Sequence, residues 1–330
     1  MNKIIDYLRI NEWLDSKVTM MLGVAAYFLY IDKVRVKDTL LLLLAYFLFL
    51  SMYLALSYVF NDYTDIDIDK NAGKVKLISS IPKKVIITSF FAMALIGDIP
   101  IILVVENKIL CLFMILLITF FGLAYSLPGI RFKEKGLLGL IECSFAQRCL
   151  PLTLILLFID LTRSNLFYWG VWFALSFFDG LRYILIHQYI DQENDRTTNT
   201  HTFVLDKQVS IREYIKWLCI FEMVCGLILL FPLIAENYLI IIFGIVLCVL
   251  LEFCIYKVLN VFVNKDWLVS FDSVPLEAYF NIIMPIMIGI CMIKTNDLAG
   301  LFIILILICS IQSIKAKWNI VAEYLYAKLF

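Results

Sequence analysis

The chain has 330 residues, of which 62% are hydrophobic, and its mean hydropathy is +0.91. Soluble proteins contain roughly 45–50% apolar residues, so this composition excludes an ordinary soluble domain: most of the apolar surface must face lipid or other buried helices. The 28 basic and 28 acidic residues cancel each other, so the net charge indicates nothing about partners. We expect a lipid bilayer and no nucleic acid as partner.

The N-terminal segment, residues 1–16, does not have the pattern of a signal peptide. It mixes charged residues with Ile4, Leu8 and Trp13 and lacks a short apolar core before a cleavage site. We expect an amphipathic helix that lies on the membrane surface. The nine cysteines contain no CxxC pair, and we interpret them as small hydrophobic residues.

Apolar runs that could cross a bilayer, each about 17–25 residues long, recur along the chain. They are predicted at 17–32, 38–60, 84–105, 109–125, 137–160, 166–190, 212–234, 236–258, 278–294 and 298–314. The first and the last two runs are short. The sequence therefore predicts an all-α, polytopic membrane protein with nine or ten transmembrane helices. It forms a single domain, 1–330, whose tail is 315–330.

Basic residues are concentrated in the loops on one side of these spans. This side carries the N-terminus and the loops at 61–83, 126–136 and 191–211. Because cytoplasmic loops carry the excess of Lys and Arg, we expect these loops to be cytoplasmic.

An acidic cluster follows the second predicted span. Asn61 and Asp62 begin it, and Asp62, Asp65 and Asp69 share one face of a helix. Stacked carboxylates repel each other unless a cation neutralises them. Carboxylate oxygens suit Mg²⁺, which keeps waters and commonly bridges to substrate phosphates. The cluster predicts a metal site formed by these three aspartates, and the alternative is a solvated acidic loop.

A second acidic cluster follows the sixth predicted span. Asp191 and Asp195 form an i, i+4 pair at the end of this span. The two clusters lie on the same predicted side of the membrane, four spans apart. We therefore expect them to converge on a shared site, in which each binds one Mg²⁺.

Polar residues recur every four positions along the sixth span: Asp179, Tyr183, His187, Asp191 and Asp195. Ionisable residues inside a span are costly and usually face a cavity or a partner. His187 is expected to line the site, and Asp179 is a candidate catalytic residue. Alternatively, Asp179 pairs with Arg182 and packs against Glu142 or Arg148 for structure alone.

These clusters resemble the paired motifs of the UbiA superfamily of intramembrane prenyltransferases. Residues 61–69 match the family's NDxxDxxxD motif, and residues 191–195 match its DxxxD motif. The segment 125–128, Tyr-Ser-Leu-Pro, resembles the family's segment after the fourth span. The resemblance covers roughly residues 15–260. Residues 71–76 depart from the family's usual Asn-x-Pro-x-Arg-Pro run, so no subfamily is assigned.

The resemblance implies helices around a central cavity, Mg²⁺ on both motifs and a prenyl diphosphate as substrate. It implies the following metal ligands: Asp62, Asp65, Asp69, Asp191 and Asp195. A diphosphate also needs cationic groups. We assign its binding to Asn61, Lys74, Lys76, Arg131, Lys133 and Arg196, although the excess of basic residues in cytoplasmic loops could by itself explain these lysines and arginines.

The predicted reaction is ionisation of an allylic diphosphate and transfer of the prenyl group to an acceptor that the sequence does not identify. The ring of Tyr125 could stabilise the allylic cation. His187 or Asp179 could deprotonate the acceptor. The alternatives are a terpene cyclase of the same family, phosphoribosyl transfer to a polyprenyl phosphate, and a divalent-cation transporter.

Overall fold

A computed structural model describes residues 3–34, 36–71, 73, 76–159, 161–197, 200–207, 211–262, 278–293, 299–315, 318–319 and 322. In this part of the chain the regular structure is entirely helical. The α-helices are α1 (Lys3–Tyr7), α2 (Thr19–Ile31), α3 (Val36–Thr64), α4 (Ile66–Asn71), α5 (Lys83–Val104), α6 (Lys108–Ala124), α7 (Leu137–Ser144), α8 (Leu150–Thr153), α9 (Arg163–Thr197), α10 (Phe203–Lys207), α11 (Ile211–Phe262), α12 (Met284–Ile293) and α13 (Ala299–Cys309).

Short helical turns of other types join these helices. Turns of 3₁₀ helix are formed by Ile10–Glu12, Leu77–Ser80, Phe132–Glu134 and Leu154–Leu157. Turns of π-helix are formed by Leu14–Val18, Phe145–Cys149 and Tyr279–Ile283. Helix α11 is kinked at Asn237, whose backbone is not helical (φ −139°, ψ 35°). The kink lies at the start of the eighth predicted span.

Six helical stretches of the described residues are long and apolar enough to cross a membrane: Leu14–Ile31, Leu40–Thr64, Lys83–Val104, Leu137–Leu157, Arg163–Glu193 and Glu213–Ala235. Four shorter apolar helices lie at the other predicted spans: Lys108–Ala124, Asn237–Leu247, Tyr279–Ile293 and Ala299–Cys309. The all-helical polytopic architecture is confirmed. The count of nine or ten spans stays a prediction, because the described residues contain six stretches that are long and apolar enough to span.

The N-terminal segment, expected as one amphipathic helix, is divided into α1, a 3₁₀ turn and a π turn. Arg9 interrupts the helix because its backbone is left-handed (φ 54°). The segment is attached to the rest of the protein, since the hydroxyl groups of Tyr7 and Ser89 lie 2.6 Å apart. Trp13 is buried, and its indole N–H donates to the Leu8 carbonyl at 2.9 Å.

Close helix approach and a buried aromatic cluster hold the helices together. Helix α3 packs against α5, where a Cβ on Gly97 would come within 2.9 Å of the Met52 Cβ. Small residues permit such approaches in membrane proteins. In the core, the rings of Tyr27 and Trp172 meet edge to face, with centroids 5.5 Å apart. Large apolar side chains remain exposed on α5, α6 and α11, including Phe91, Leu103, Ile109, Phe113, Leu227 and Phe231. This outer surface suits contact with lipid.

Candidate active site

The first acidic motif spans the end of α3 and the start of α4. Asn61 and Asp62 lie in α3, Asp65 lies at the junction, and Asp69 lies in α4. The amide of Asp65 donates to the Asn61 carbonyl (3.1 Å), and the amide of Asp69 donates to the Asp65 carbonyl (2.8 Å). These bonds continue the helical pattern across the junction, so the motif keeps its predicted spacing. Asp62 and Asp65 are buried, with 5% and 8% of their surface exposed.

Two basic residues contact Asp62. Arg9 Nη1 donates to both Asp62 oxygens, at 2.9 and 3.1 Å. Lys76 Nζ lies 2.7 Å from Asp62 Oδ1 and 2.7 Å from Asp69 Oδ2. Burial by itself would lower the pKa of Lys76, but the two carboxylates outweigh burial and raise it. Lys76 therefore stays charged and bridges two members of the motif.

Two further basic residues contact Asp65. Arg131 Nη2 donates to Asp65 Oδ1 at 3.0 Å, and Lys133 Nζ donates to Asp65 Oδ2. Lys133 also donates to Asn61 Oδ1 at 3.0 Å, and Ser126 Oγ donates to the same oxygen at 2.5 Å. Burial lowers the pKa of Lys133, although Asp65 opposes this effect. Arg131, like Arg9, has a left-handed backbone (φ 44°), a strained conformation that is frequent at functional sites.

The second acidic motif lies near the end of α9. His187, Asp191 and Asp195 follow one another at intervals of four residues along this helix. His187 Nδ1 lies 3.0 Å from Asp191 Oδ2, within ion-pair distance. The Asp195 carbonyl accepts a hydrogen bond from the Thr200 amide at 2.9 Å, which ties the following loop to α9.

Residues of both motifs line one cavity of about 450 Å³. Its wall contains the motif residues Asn61, Asp65, Asp69, Asp191 and Asp195. It also contains other predicted site residues: Lys76, Tyr125, Arg131, Lys133 and His187. The two acidic clusters are far apart in the sequence, and the structure brings them together as predicted.

Some predicted site residues are not part of this cavity wall, as far as the described chain extends. Asp62 lies behind the wall, where Arg9 and Lys76 contact it. Arg196 has a 62% exposed side chain and pairs with Glu193 at 3.6 Å. Lys74 lies outside the described residues.

Asp179 lies in a buried network of ion pairs rather than on the cavity wall. Arg148 Nη2 is 3.0 Å from Asp179 Oδ2, and Arg182 Nη2 is 2.7 Å from Asp179 Oδ1. Arg182 also donates to both oxygens of Glu222 on α11, at 2.7 and 3.1 Å. The side chains of Asp179, Arg182 and Glu222 are at most 1% exposed. This arrangement favours the structural alternative for Asp179 over a catalytic role.

The carboxylates of the site offer ligands that Mg²⁺ prefers. In this arrangement, however, most of them pair with lysine or arginine side chains. Within the described residues, no three acidic, histidine or cysteine side chains converge on one potential metal position. The charge and oxygen chemistry of the cavity wall fit divalent metal, provided that Arg131, Lys133 or Lys76 releases the carboxylate that it contacts.

Three basic residues of the cavity wall, Arg9, Lys17 and Arg148, were not predicted as site residues. In the sequence analysis, Arg9 and Lys17 indicate only the orientation of the protein in the membrane. Arg148 was considered only as a partner of Asp179. Lys17 is 2% exposed. The sequence feature that could have indicated its burial is that this charged residue begins an apolar run.

Comparison with known proteins agrees with the paired motifs. The model of the UbiA prenyltransferase family matches residues 18–271. No curated protein sequence matches the chain significantly.

Three solved structures share the fold. The chain is similar to a UbiA homologue from Archaeoglobus fulgidus bound to DMAPP and Mg²⁺, with 16% identity and a TM-score of 0.52. The structures of a UbiA homologue from the same organism, one bound to GPP and Mg²⁺ and one described without ligand, have 15% and 13% identity and TM-scores of 0.52 and 0.51. Each comparison covers 94% of this chain and 99% of the other chain. At these identities the likeness establishes the fold alone.

Proposed function

The chain is an integral membrane protein of the UbiA prenyltransferase family, and from this premise we propose a specific reaction for it. It ionises a prenyl diphosphate in the presence of Mg²⁺ and transfers the prenyl group to an acceptor. We also propose that the loops of the site face the cytoplasm, because they carry the excess of Lys and Arg.

One observation supports this proposal above the others: Asp65 and Asp69 of the first motif and Asp191 and Asp195 of the second line the same cavity. Four carboxylates on one cavity wall would be strongly repulsive unless cations balance them. Similar proteins from Archaeoglobus fulgidus were solved with Mg²⁺ and DMAPP or GPP, and we propose the same classes of ligand here.

We propose that Asp62, Asp65, Asp69, Asp191 and Asp195 hold Mg²⁺. When bound, Mg²⁺ would neutralise the diphosphate and stabilise the charge on the departing group. Asp62 is the least accessible of these ligands, since Arg9 and Lys76 contact it.

The basic residues of the cavity wall would bind the diphosphate. Arg131, Lys133 and Lys76 already lie at the motif carboxylates, and each could turn from a carboxylate to a diphosphate oxygen. Asn61 would assist, because its side-chain oxygen holds Lys133 in place. Arg9 joins this group as a residue that the sequence did not suggest. Lys74 and Arg196 stay predictions without a structural argument.

We propose His187 as the residue that accepts a proton from the acceptor. Asp191 lies 3.0 Å from Nδ1 of this histidine, which leaves Nε2 to take the proton. Tyr125, which lines the cavity, would stabilise positive charge through its ring. If a His187→Ala variant kept normal turnover, His187 would have no such role. Asp179 is assigned to the buried ion network instead.

A terpene cyclase of the same family is the second candidate, and the lining of the cavity argues against it. Lys17, Gln147 and Arg148 lie on the cavity wall. A cyclase encloses only a prenyl diphosphate, and a charged surface is unfavourable beside the hydrocarbon part of that substrate. A polar wall suits a second, polar molecule, which a transferase requires.

The proposal is tested by incubating the purified protein in detergent with Mg²⁺ and prenyl diphosphates of increasing chain length, without acceptor. We expect binding that EDTA abolishes, little release of diphosphate and no hydrocarbon product. A cyclic hydrocarbon would identify a cyclase instead. Absence of metal-dependent binding for every chain length would contradict both candidates.

A further inference from the structure

The cavity wall beside the second motif contains a buried amide whose oxygen accepts no hydrogen bond from the described residues. Gln188 is 5% exposed and lines the cavity, and its Oε1 is buried without a partner. Burial of an unpaired acceptor is costly, so such a group in a native protein requires an explanation. A ligand that binds in the cavity would supply one.

The other two amide side chains of the described cavity wall each accept a hydrogen bond from a lysine. Asn61 Oδ1 accepts one from Lys133 at 3.0 Å, and Gln147 Oε1 accepts one from the ammonium group of Lys17. Within the part of the chain that the structure describes, no lysine fills this place at Gln188. By analogy with the two other amides, the group missing at Gln188 is a cation.

Gln188 extends the second motif to the spacing of the first. The first motif, within residues 61–69, has its carboxylates at i, i+3 and i+7, and Gln188, Asp191 and Asp195 repeat this spacing on α9. Side chains three and four residues apart are neighbours on one face of a helix, with roughly 5–6 Å between their Cβ atoms. All three residues line the cavity. Gln188 therefore has the position in the second motif that Asp62 has in the first.

An amide oxygen at this position would bind a cation without adding a third negative charge. Carboxylates, carbonyl groups and waters are the ligands that suit Mg²⁺, which keeps several waters when it binds to proteins. With Asp191 and Asp195 alone, the second motif has one oxygen-bearing side chain fewer than the first. The DxxxD pattern begins at Asp191, so it assigns no role to Gln188.

We propose that Gln188 is the third oxygen ligand of the Mg²⁺ at the second motif, together with Asp191 and Asp195. The amide oxygen binds the metal ion directly or through one of its waters. This inference rests on the proposed function, since it completes one of the metal sites on which that function depends. It also explains why a polar side chain without a hydrogen-bond partner for its oxygen lies at a buried position of the cavity wall.

Titration of the purified protein with Mn²⁺, which suits the same oxygen ligands as Mg²⁺, tests the proposal. Electron paramagnetic resonance measures free Mn²⁺, both without and with a non-ionisable prenyl diphosphate analogue. Gln188→Leu should weaken one Mn²⁺ site by about 10- to 100-fold, the usual effect of losing a group that supports a bound metal. Gln192→Leu is the matched control and should leave Mn²⁺ binding unchanged, since Gln192 lies between the two aspartates in sequence but not on the described cavity wall. Equal affinities of wild type and Gln188→Leu, or equal losses in the two leucine variants, would overturn the proposal.

A second variant has the shape of glutamine and should change metal binding in the opposite direction. Gln188→Glu places a third carboxylate on the motif, and a bound cation would relieve the repulsion among the three. Its affinity for Mn²⁺ should equal or exceed that of wild type, and Mn²⁺ should raise its melting temperature by more than that of wild type. Weaker binding of Mn²⁺ by Gln188→Glu would overturn the proposal.

Stability without metal distinguishes a metal ligand from a side chain that only holds the fold together. In EDTA, Gln188→Leu should melt at or above the temperature of wild type, because an apolar group of similar volume replaces an amide with an unpaired oxygen. A lower melting temperature in EDTA would show that the amide already stabilises the protein, and it would overturn the proposal.

Binding of a prenyl diphosphate with Mg²⁺, measured on the same samples, separates this inference from the proposed function. Binding of Mn²⁺ that depends on Gln188, without binding of any prenyl diphosphate, would overturn the proposed function and leave a metal site. Normal binding of a prenyl diphosphate, with an affinity for Mn²⁺ that does not depend on Gln188, would overturn only the role of Gln188. No binding of Mn²⁺ to wild type, either alone or with the analogue, would overturn both.

Discussion

Asp65 illustrates how the site residues hold one another in place. Its two oxygens accept hydrogen bonds from Arg131 and Lys133, and Lys133 also donates a hydrogen bond to the side-chain oxygen of Asn61. Burial of these groups strengthens their interaction. The basic residues that are proposed to bind the diphosphate are thus already positioned where metal and diphosphate would bind.

Replacement of Lys133 by Met should weaken binding of a prenyl diphosphate by about 10- to 100-fold, because one hydrogen bond to a charged group contributes roughly 1.5–3 kcal/mol. The dissociation constant can be measured by titration in the presence of Mg²⁺. Lys135→Met is a matched control, since Lys135 is exposed and lies in the same loop. Equal losses in the two variants would argue for a general charge effect rather than a contact of Lys133.

At the scale of single residues, the sequence predicts the position of the site aspartates better than that of the basic residues around them. Lys76 contacts both Asp62 and Asp69, and Asp65 and Asp69 line the cavity, so the spacing of these aspartates correctly predicts that they lie close together. Their binding of a cation stays a prediction. Arg9 and Lys17 have another explanation in the orientation of the protein. Their contacts join residues 53 and 130 positions apart, and a single sequence contains no signal for such pairs.

Helix α9 carries the second motif at one end and packs closely against α7 in its middle. A Cβ on Gly180 would come within 3.0 Å of both Cα and Cβ of Ser144. Ser144 also donates to the Phe177 carbonyl of α9 at 2.7 Å. This contact lies beside the cavity, because Gly180 of α9 and Cys143 of α7 both line it.

A Gly180→Ala variant should therefore be destabilised by about 1–3 kcal/mol, because overpacking forces backbone shifts. Gly170→Ala on the same helix meets no atom within 4 Å and should be neutral or more stable by about 0.5–1 kcal/mol. Thermal unfolding in detergent measures both. A melting temperature of Gly180→Ala equal to or above that of Gly170→Ala would contradict the close packing of α9 against α7.

The ion network joins α9 to α11 through Arg182 and Glu222. Glu222→Leu should destabilise the protein by about 3–5 kcal/mol, because it leaves Arg182 with uncompensated charge. The double variant Arg182→Met and Glu222→Leu should recover most of this loss, since Arg148 and Asp179 still balance each other. The melting temperatures of wild type and both variants give the comparison. Failure of the double variant to recover would mean that the pair does more than balance charge.

The whole molecule brings two distant motifs to one cavity, and much of this arrangement could be predicted. The apolar runs locate the helices, and the kink at Asn237 lies where two runs meet. The number of spans could not be settled, because the apolar helix Ala299–Cys309 is shorter than a bilayer requires. Hydropathy does not distinguish a short span from a helix buried within the bundle.

The central claim is that the acidic motifs bind Mg²⁺ and a prenyl diphosphate together. The most direct test measures Mg²⁺-dependent binding of a prenyl diphosphate to wild type, Asp65→Asn, Asp191→Asn and Asp67→Asn. Asp67 is the control, because it is exposed and lies between Asp65 and Asp69 in sequence. We expect loss of Mg²⁺-dependent binding in Asp65→Asn and Asp191→Asn and normal binding in Asp67→Asn. Wild-type affinity in both motif variants, or equal losses in all three, would contradict the shared site.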